Sequence, residues 1–496
     1  NEKLRPSDFG PPPHATFVAM THAHATTPLG DYSGLNRDGV FVFKGINYAL
    51  ADRFQPSELE TSTWSGLRDA TVDGPQCLQV PGIMEQLLGE STQPMAEECL
   101  TLNVFTADTS ARKPVLVWIH GGAFTNGAGS VPWYDGSNLV RSGDIVVVTI
   151  NYRLGALGFR GRDNAGLSDQ VNALQWVRNN IASFGGDPSQ VTIMGESAGG
   201  ASVISLMACP NADGLYSGAI AMSPSIPQLR SSERGDEALS ELLAAAGVDH
   251  PDDLISLPTD ALLKAQRDML SSTDESLTAF APTTDGNWLP GDPSDLAASN
   301  PVPLIIGTTR DEMHLFTAFD PRYTKIDEEA ARTTFERHFA SSEAYDIYRD
   351  HRPGSTPPQL VSALETDGVF RWPAHRIAEA RQQQKHSTHS YWFTFETPVF
   401  GGVLGSCHAL DIPFALNNLD RKGVELFTGD APARRKLAAS FSDSMTTFMH
   451  THDAGWPQWG AERNTQLLDA DTTIGVDVVS DSEPRIRQLW EALDAS

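Results

Sequence analysis

The sequence predicts an α/β protein, a doubly wound and mostly parallel sheet with helical cap insertions, and three observations carry that expectation. Short runs dense in β-branched and aliphatic residues recur along the chain, a helix-spaced segment separates two of them, and a serine framed by small residues directly follows a third. Runs apolar on both faces belong to a sheet covered on both sides, and the alternation of strand with helix is what a doubly wound sheet requires.

The runs are Pro114 to Ile119, Asp144 to Ile150, Val191 to Met194, Gly218 to Met222, Val302 to Ile306 and Tyr391 to Phe395. Between the second and third, Val171, Leu174, Val177, Ile181 and Phe184 fall at helical spacing, predicting a helix over Ser168 to Phe184 with Ser168 or Asp169 as its cap. Residues 228–275 and 324–385 interrupt the strand pattern with charged, helix-rich sequence such as Asp236 to Ala246 and Asp327 to Ala340. These are expected to be helical insertions that roof the sheet edge. No internal repeat, low-complexity tract or long linker separates them, so residues 28–496 are expected to form one domain behind an N-terminal extension of residues 1–27.

Composition narrows the class. Hydrophobic content of 40% with 20% charged residues is globular, and no run approaches the roughly 18 apolar residues of a membrane span. The formal charge of −27, from 63 acidic against 36 basic residues, would repel nucleic acid and anionic membrane, so neither is an expected partner. Oligomeric state, monomer or dimer, is left open. The four cysteines, Cys77, Cys99, Cys209 and Cys407, fit neither a C-x-x-C redox pair nor a zinc site. The chain opens at Asn1 and residues 1–27 contain no apolar h-region, so a processed or trimmed start is expected.

The chemistry is carried by Gly195-Glu196-Ser197-Ala198-Gly199-Gly200 after the run Val191 to Met194. This is G-x-S-x-G between a buried strand and a helix, the nucleophile elbow of the α/β-hydrolase fold. A serine hydroxyl is a poor nucleophile unless it stands on a sharp turn where a base and a substrate both reach Oγ. Acyl transfer also needs oxyanion donors, an acid and a base. The strand Val115 to Ile119 ends in His120-Gly121-Gly122-Ala123-Phe124, where glycines let backbone N–H groups turn inward; Gly121 and Gly122, with the amide of Ala198, make the expected oxyanion hole. The run Val302 to Ile306 leads into Arg310-Asp311-Glu312, and spacing alone leaves either carboxylate as the acid. Of the histidines beyond it, only His408 follows a glycine-rich loop, Gly401 to Ser406, shortly after a strong strand, which makes it the base. His338, His351, His375, His386, His389, His450 and His452 sit among polar residues and are expected at the surface.

At this point the chain resembles the type B carboxylesterase and cholinesterase family, and within it the bacterial para-nitrobenzyl-esterase-like branch. The resemblance covers nearly the whole chain. It rests on Val42-Phe43-Lys44-Gly45-Ile46, Glu97 to Val104, the His120 to Phe124 loop, Asn151-Tyr152-Arg153-Leu154-Gly155, Phe184 to Pro188, the elbow, Asp285-Gly286, Thr309 to Glu312, and His408-Ala409-Leu410-Asp411-Ile412-Pro413.

The resemblance implies Glu312 as the acid and makes Asp311 the minor candidate. It implies a disulfide between Cys77 and Cys99, closing a segment, Leu78 to Glu98, that walls the active-site gorge, and ion pairs of Arg53 with Glu97 and of Arg153 with Asp169. The expected activity is serine ester hydrolysis on a small-molecule ester by Ser197, His408 and Glu312, without metal or organic cofactor. The family leaves open a lipase-like or specialised ester hydrolase acting on polycarboxylate, carbamate or aryl esters, and, more distantly, a catalytically silent neuroligin-like binding protein. Phe124, Phe280, Phe316 and Phe370, with Ile83, Met84, Leu87 and Leu88, are candidate pocket residues, and Arg160 and Arg162 border the entrance. A disulfide and a processed start together lead to an expectation of a secreted or periplasmic protein, with the cytoplasm left open. The chain departs from the family pattern in four places: Asn47 stands in the usual Ile-Pro-Tyr-Ala, the stretch from Gly158 to Asn164 is short, Met313 replaces the glycine after the acid, and no tryptophan lies between Cys77 and Cys99. The last lowers a choline-ester reading, which needs an aromatic face for the ammonium.

Overall fold

The computed structural model describes residues 22–80, 82, 93–272 and 278–495. Its centre is a 13-stranded sheet. The strands are β1 (His22–Thr26), β2 (Asp31–Arg37), β3 (Val40–Asn47), β4 (Leu67–Asp69), β5 (Thr101–Thr106), β6 (Lys113–Ile119), β7 (Val146–Ile150), β8 (Gly186–Glu196), β9 (Gly218–Met222), β10 (Leu304–Thr309), β11 (Thr388–Phe393), β12 (Asn464–Leu468) and β13 (Val478–Ser480). They lie in the order β1-β2-β3-β5-β7-β6-β8-β9-β10-β11-β12-β13, with β4 beside β2. Every pair from β7 to β12 is parallel, and the main pairings outside that span are antiparallel. β1 lies within the segment read from sequence as an extension.

The alternation along β6 shows why such runs are apolar on both sides. Val115, Val117 and Ile119 join one core cluster, which also takes in Val171, Leu174 and Val177 of helix α1 (Ala165–Asn180) and Ala201, Val203 and Ile204 of α2 (Ala198–Met207). Leu116 and Trp118 point to the other face and pack in a cluster with residues 437–449 of α10 (Ala433–Thr451). A side-chain period of two thus fills two layers at once.

The first interrupting segment folds as α3 (Ser232–Ala246) and α4 (Thr259–Ser272). After β10 comes the short α5 (His314–Thr317), and the second segment folds as α6 (Glu328–Phe339), α7 (Ala344–His351), α8 (Pro357–Thr366) and α9 (Trp372–Gln383). Between α8 and α9 the rod contains one π-helical turn, Asp367–Arg371, a distortion that commonly marks a functional position. Phe335, Tyr348, Leu360 and Leu364 form a small third core with Ile486 and Trp490 of α11 (Pro484–Asp494).

Two local expectations are corrected. Helix α1 is capped by Asn164, four to five residues before the expected cap, because Asn164 clasps Thr283 through both ends of its amide (2.7 and 2.9 Å) and Asp169 is drawn inward to Arg153. His389 is not a surface residue: it lies inside β11, 1% exposed, with Nδ1 3.0 Å from the Trp456 carbonyl. Among the described residues no helix is long and apolar enough to cross a membrane.

Candidate active site

The carboxyl ends of β6, β8, β9, β10 and β11 deliver the site, as the crevice rule for open parallel sheets requires. Ser197 follows β8 and caps α2 with φ 58° and ψ −121°, a strained conformation for a residue with a side chain. The flanking small residues are needed for approach. A Cβ on Gly195 would lie 2.4 Å from the Gly199 carbonyl oxygen, and one on Gly199 would lie 2.1 Å from that of Ile119, so the turn is pressed against the end of β6. Ser197 is half-buried, and among the described residues its Oγ makes no hydrogen bond.

The loop after β6 presents donors because its carbonyls are engaged elsewhere. Tyr152 Oη donates to the His120 carbonyl (2.8 Å), and Thr125 and Asn126 donate to that of Gly122 (2.9 and 3.0 Å). His120 Nδ1 lies 2.8 Å from the Gly121 carbonyl, and since a carbonyl only accepts, that nitrogen carries the proton. Burial lowers His120 to about 4, so the ring stays neutral, stacked 4.6 Å over Tyr152. In a trans peptide N–H and C=O point opposite ways, so holding the His120 and Gly121 carbonyls outward turns the Gly121 and Gly122 amides the other way. Among the described residues neither these amides nor that of Ala198 donates to a protein acceptor. A Cβ on Gly121 would sit 3.1 Å from Ser197 Cβ, which places this loop against the serine.

Glu312 is fully buried and faces His408, with Oε2 2.6 Å from Nδ1. Its other oxygen accepts from Ser223 Oγ (2.6 Å) and the Thr309 amide (2.8 Å). Asp311 turns away, to Arg310 (2.8 Å) and the Ser406 amide (2.9 Å), where Arg310 outweighs burial and holds its carboxyl below the usual range. The two carboxylates left open by spacing are therefore separated by geometry. His408 Nε2 lies 3.2 Å from Glu196 Oε1, and no hydrogen bond joins it to Ser197 Oγ among the described residues. Burial raises Glu196 to about 8. Burial also disfavours the imidazolium, but Glu196, Glu312 and Asp411 outweigh it and raise His408 to about 9.

Of the four candidate phenylalanines, two stand beside His408. The Phe370 ring, in the π-turn, is 4.8 Å from that of His408, and the Phe316 ring is 5.5 Å away. Phe124 packs edge-on against Phe159 (5.0 Å), and both it and Phe280 are fully buried in the core. Ile83, Met84, Leu87 and Leu88 lie outside the described residues. Arg160 and Arg162 are engaged by Asp163 and Asp236 rather than facing a substrate. Arg53 pairs with Glu97 and Arg153 with Asp169 as expected.

The expected disulfide is absent: Cys77 and Cys99 are free, buried thiols in contact with each other, and that contact together with burial pushes the Cys99 thiol well up. Beside them Gln79 clasps Gly127 through both ends of its amide (2.7 and 3.0 Å), fixing the start of the intervening segment to the glycine loop.

Sequence reasoning missed Ser223, Glu196, Thr366 and Asp411. The signal for Ser223 was a polar residue directly after an apolar strand, Gly218 to Met222. Glu196 was inside the elbow itself but counted only as a spacer. Thr366, whose Oγ1 accepts the Met313 amide next to Glu312 (3.1 Å), had none, because it belongs to a remote helix.

Compared with known proteins, the chain matches the sequence model of the Carboxylesterase family over residues 21–478. It is 35% identical to the para-nitrobenzyl esterase of Bacillus subtilis (strain 168), across 94% of this chain and 99% of that protein. It is 32% identical to the phenmedipham hydrolase of Pseudarthrobacter oxydans, across 93% and 97% respectively. Among solved structures, a Geobacillus stearothermophilus carboxylesterase aligns with a TM-score of 0.83 at 35% identity, covering 94% of this chain and 99% of that one.

Proposed function

The chain belongs to the carboxylesterase family and has the α/β-hydrolase fold, and from that premise we propose that it cleaves carboxylic esters with Ser197 as nucleophile, His408 as base and Glu312 as orienting acid. As a family member it is a carboxylic ester hydrolase; the residue roles are our reading. The observation that carries them is the buried contact of His408 Nδ1 with Glu312 Oε2 at 2.6 Å, next to a serine held on a strained elbow.

His408 takes the proton of Ser197 as Oγ attacks the ester carbonyl, and Glu312, held by Ser223 and Thr309, orients and stabilises the imidazolium. The amides of Gly121, Gly122 and Ala198 receive the charge that develops on the carbonyl oxygen. His408 then gives its proton to the leaving alcohol, and in the second half activates water against the acyl-enzyme. Phe316 and Phe370 form the apolar wall beside the base. The same reading takes residues 28–496 as one catalytic domain with its cap in 228–275 and 324–385, supported by the reach of Phe370 to His408. It also takes the contacting thiols of Cys77 and Cys99 as competent to join in an oxidising compartment, which non-reducing peptide mapping of the exported protein checks.

Ser197→Ala tests the assignment. Hydrolysis of p-nitrophenyl acetate should fall by about a thousandfold or more while the melting temperature stays within a few degrees. Activity that survives in a folded Ser197→Ala variant rules the nucleophile out.

A further inference from the structure

The π-turn that carries Phe370 is not held by its own sequence. Within Asp367–Arg371 the Trp372 amide reaches back five residues to the Asp367 carbonyl, Gly368 is a weak helix former, and Pro373 has no N–H to give to the Val369 carbonyl. Contacts to the site nevertheless leave from both ends of the turn. Thr366, directly before it, takes the Met313 amide beside Glu312, and the Phe370 ring lies 4.8 Å from that of His408. What fixes the turn comes from elsewhere in the chain.

The holding groups are buried charges. Asp367, 1% exposed, pairs with Arg371 at 2.5 Å across the turn and accepts from Tyr348 Oη at 2.6 Å. Arg371 pairs in turn with Glu483, which also faces Arg352 at 3.7 Å, and both guanidiniums lie over the Trp392 ring, at 4.8 and 5.5 Å. All four charged residues are buried, and two carboxylates balance two guanidiniums. Glu483 stands directly before α11, and Trp490 of that helix completes the grip. Its Nε1 donates to Tyr348 Oη at 2.9 Å, and its ring seats on Gly368, where an added Cβ would lie 3.0 Å from the ring.

We propose that Glu483 and Trp490 are positioning residues for the base: the segment that carries them braces the π-turn and so keeps Phe370 against His408. The proposal rests on the reading of His408 as the base. Neither residue touches the reacting atoms. A buried ion pair is weak evidence for stability, yet it selects one geometry, because a guanidinium left without its carboxylate is costly. Here that geometry is the turn's. Loss of the brace frees Phe370 to leave the imidazole and lets the ring of the base turn away from Ser197, which slows the chemical step more than it weakens binding of a small ester.

The test is a double-mutant cycle on p-nitrophenyl acetate hydrolysis by the full chain, with Glu483→Gln, Trp490→Phe and Phe370→Ala. Glu483→Gln and Trp490→Phe should each lower kcat about fivefold while KM stays within about twofold, and Phe370→Ala should lower kcat about tenfold. Combined with Phe370→Ala, either one should cost less than about twofold more, because the contact through which it acts is already gone. Trp490→Phe removes the indole N–H and the ring atoms over Gly368 but no charge, so it decides the matter even where Glu483→Gln does not fold. Losses that multiply in the double variants overturn the proposal. So do folded single variants with wild-type kcat and a lowered melting temperature, which would make the cluster a stability element alone, and so does a Phe370→Ala variant as active as the wild type. A wild-type chain inactive on the ester would instead overturn the proposed function, and the inference with it.

Discussion

His408 Nε2 faces Glu196 Oε1 at 3.2 Å, so a carboxylate stands at each nitrogen of the proposed base. A neutral imidazole with Nδ1–H given to Glu312 has only a lone pair at Nε2, and a lone pair cannot satisfy an ionised carboxylate. Glu196 Oε1 has no hydrogen-bond partner among the described residues, and a further proton on Nε2 or on Glu196 relieves the clash. Both groups are shifted to hold it, Glu196 to about 8 and His408 to about 9. Attack by Ser197 requires that Nε2 be unprotonated, so Glu196 tunes when the base becomes available.

Glu196→Gln removes the negative charge at Nε2 and keeps the volume. The imidazolium loses stabilisation, the pKa of His408 falls, and the acid limb of the pH profile of kcat/KM should move to lower pH by on the order of one unit. A limb that stays in place or moves up would show that Glu196 does not act on the base.

Glu312→Gln and Asp311→Asn separate the adjacent carboxylates. Glu312 touches His408 and Asp311 touches Arg310 and Ser406, so the first substitution should lower the acylation rate by about a thousandfold and the second by less than tenfold. A larger rate loss in Asp311→Asn would reverse the assignment. Ser223→Ala, which strips one donor from Glu312 Oε1, should cost about tenfold in kcat.

These residues also mark what the sequence could tell. Ser197, Gly121, Gly122 and His408 were legible because each sits on a local signal, a strand end followed by glycine or small residues, and strand ends in a parallel sheet converge. Residue spacing could not choose between Asp311 and Glu312, since neighbours on a loop point in different directions for reasons set by distant partners, Ser406 for one and Ser223 for the other. The pocket phenylalanines show the same limit. Phe370 stands on a π-turn remote in sequence yet touches His408, and Phe124, beside Gly121 and Gly122 in sequence, points into the core against Phe159. His389 looked exposed among Ser387, Thr388 and Ser390, yet a strand covered on both faces buries its polar residues too.

Thr366 joins the π-turn to the residue beside Glu312. Met313, which stands where the family has glycine, gives its amide to Thr366 Oγ1 at 3.1 Å, and the Thr366 side chain is fully buried. Thr366→Val keeps the shape and leaves that amide without this acceptor, a loss of about 1–3 kcal/mol in stability. It should also lower kcat several-fold by loosening Glu312, and Thr366→Ser should restore most of both. Chemical denaturation beside steady-state kinetics checks this; equal behaviour of the valine and serine variants would remove Thr366 from the site.

Asp411 predicts how stability depends on pH. Oδ2 accepts from Tyr391 Oη at 2.8 Å, but Oδ1 is buried with no partner among the described residues. Burial first, then Glu312, raises its carboxyl from 3.8 to about 7, partly countered by Tyr391 and His408. A folded-state value above the unfolded one means that the fold prefers the protonated acid. Its stabilising contribution is full below about 3.8 and is lost as pH rises through about 7. Over that window each unit removes on the order of 1.4 kcal/mol at most. Asp411→Asn is neutral throughout and keeps an acceptor for Tyr391, so it lacks this loss. Denaturant unfolding of both proteins at several pH values should give a variant that gains on the wild type from pH 5 to pH 7 and holds a constant lead at pH 8 and above. Glu196 acts in the same direction and owes its raised value first to burial, so subtracting the wild-type curve removes most of its parallel loss and leaves only the part that Asp411 contributes to it. A difference between the two proteins that does not change with pH would mean that Asp411 is already ionised in the fold, and that its free oxygen is solvated or paired in solution.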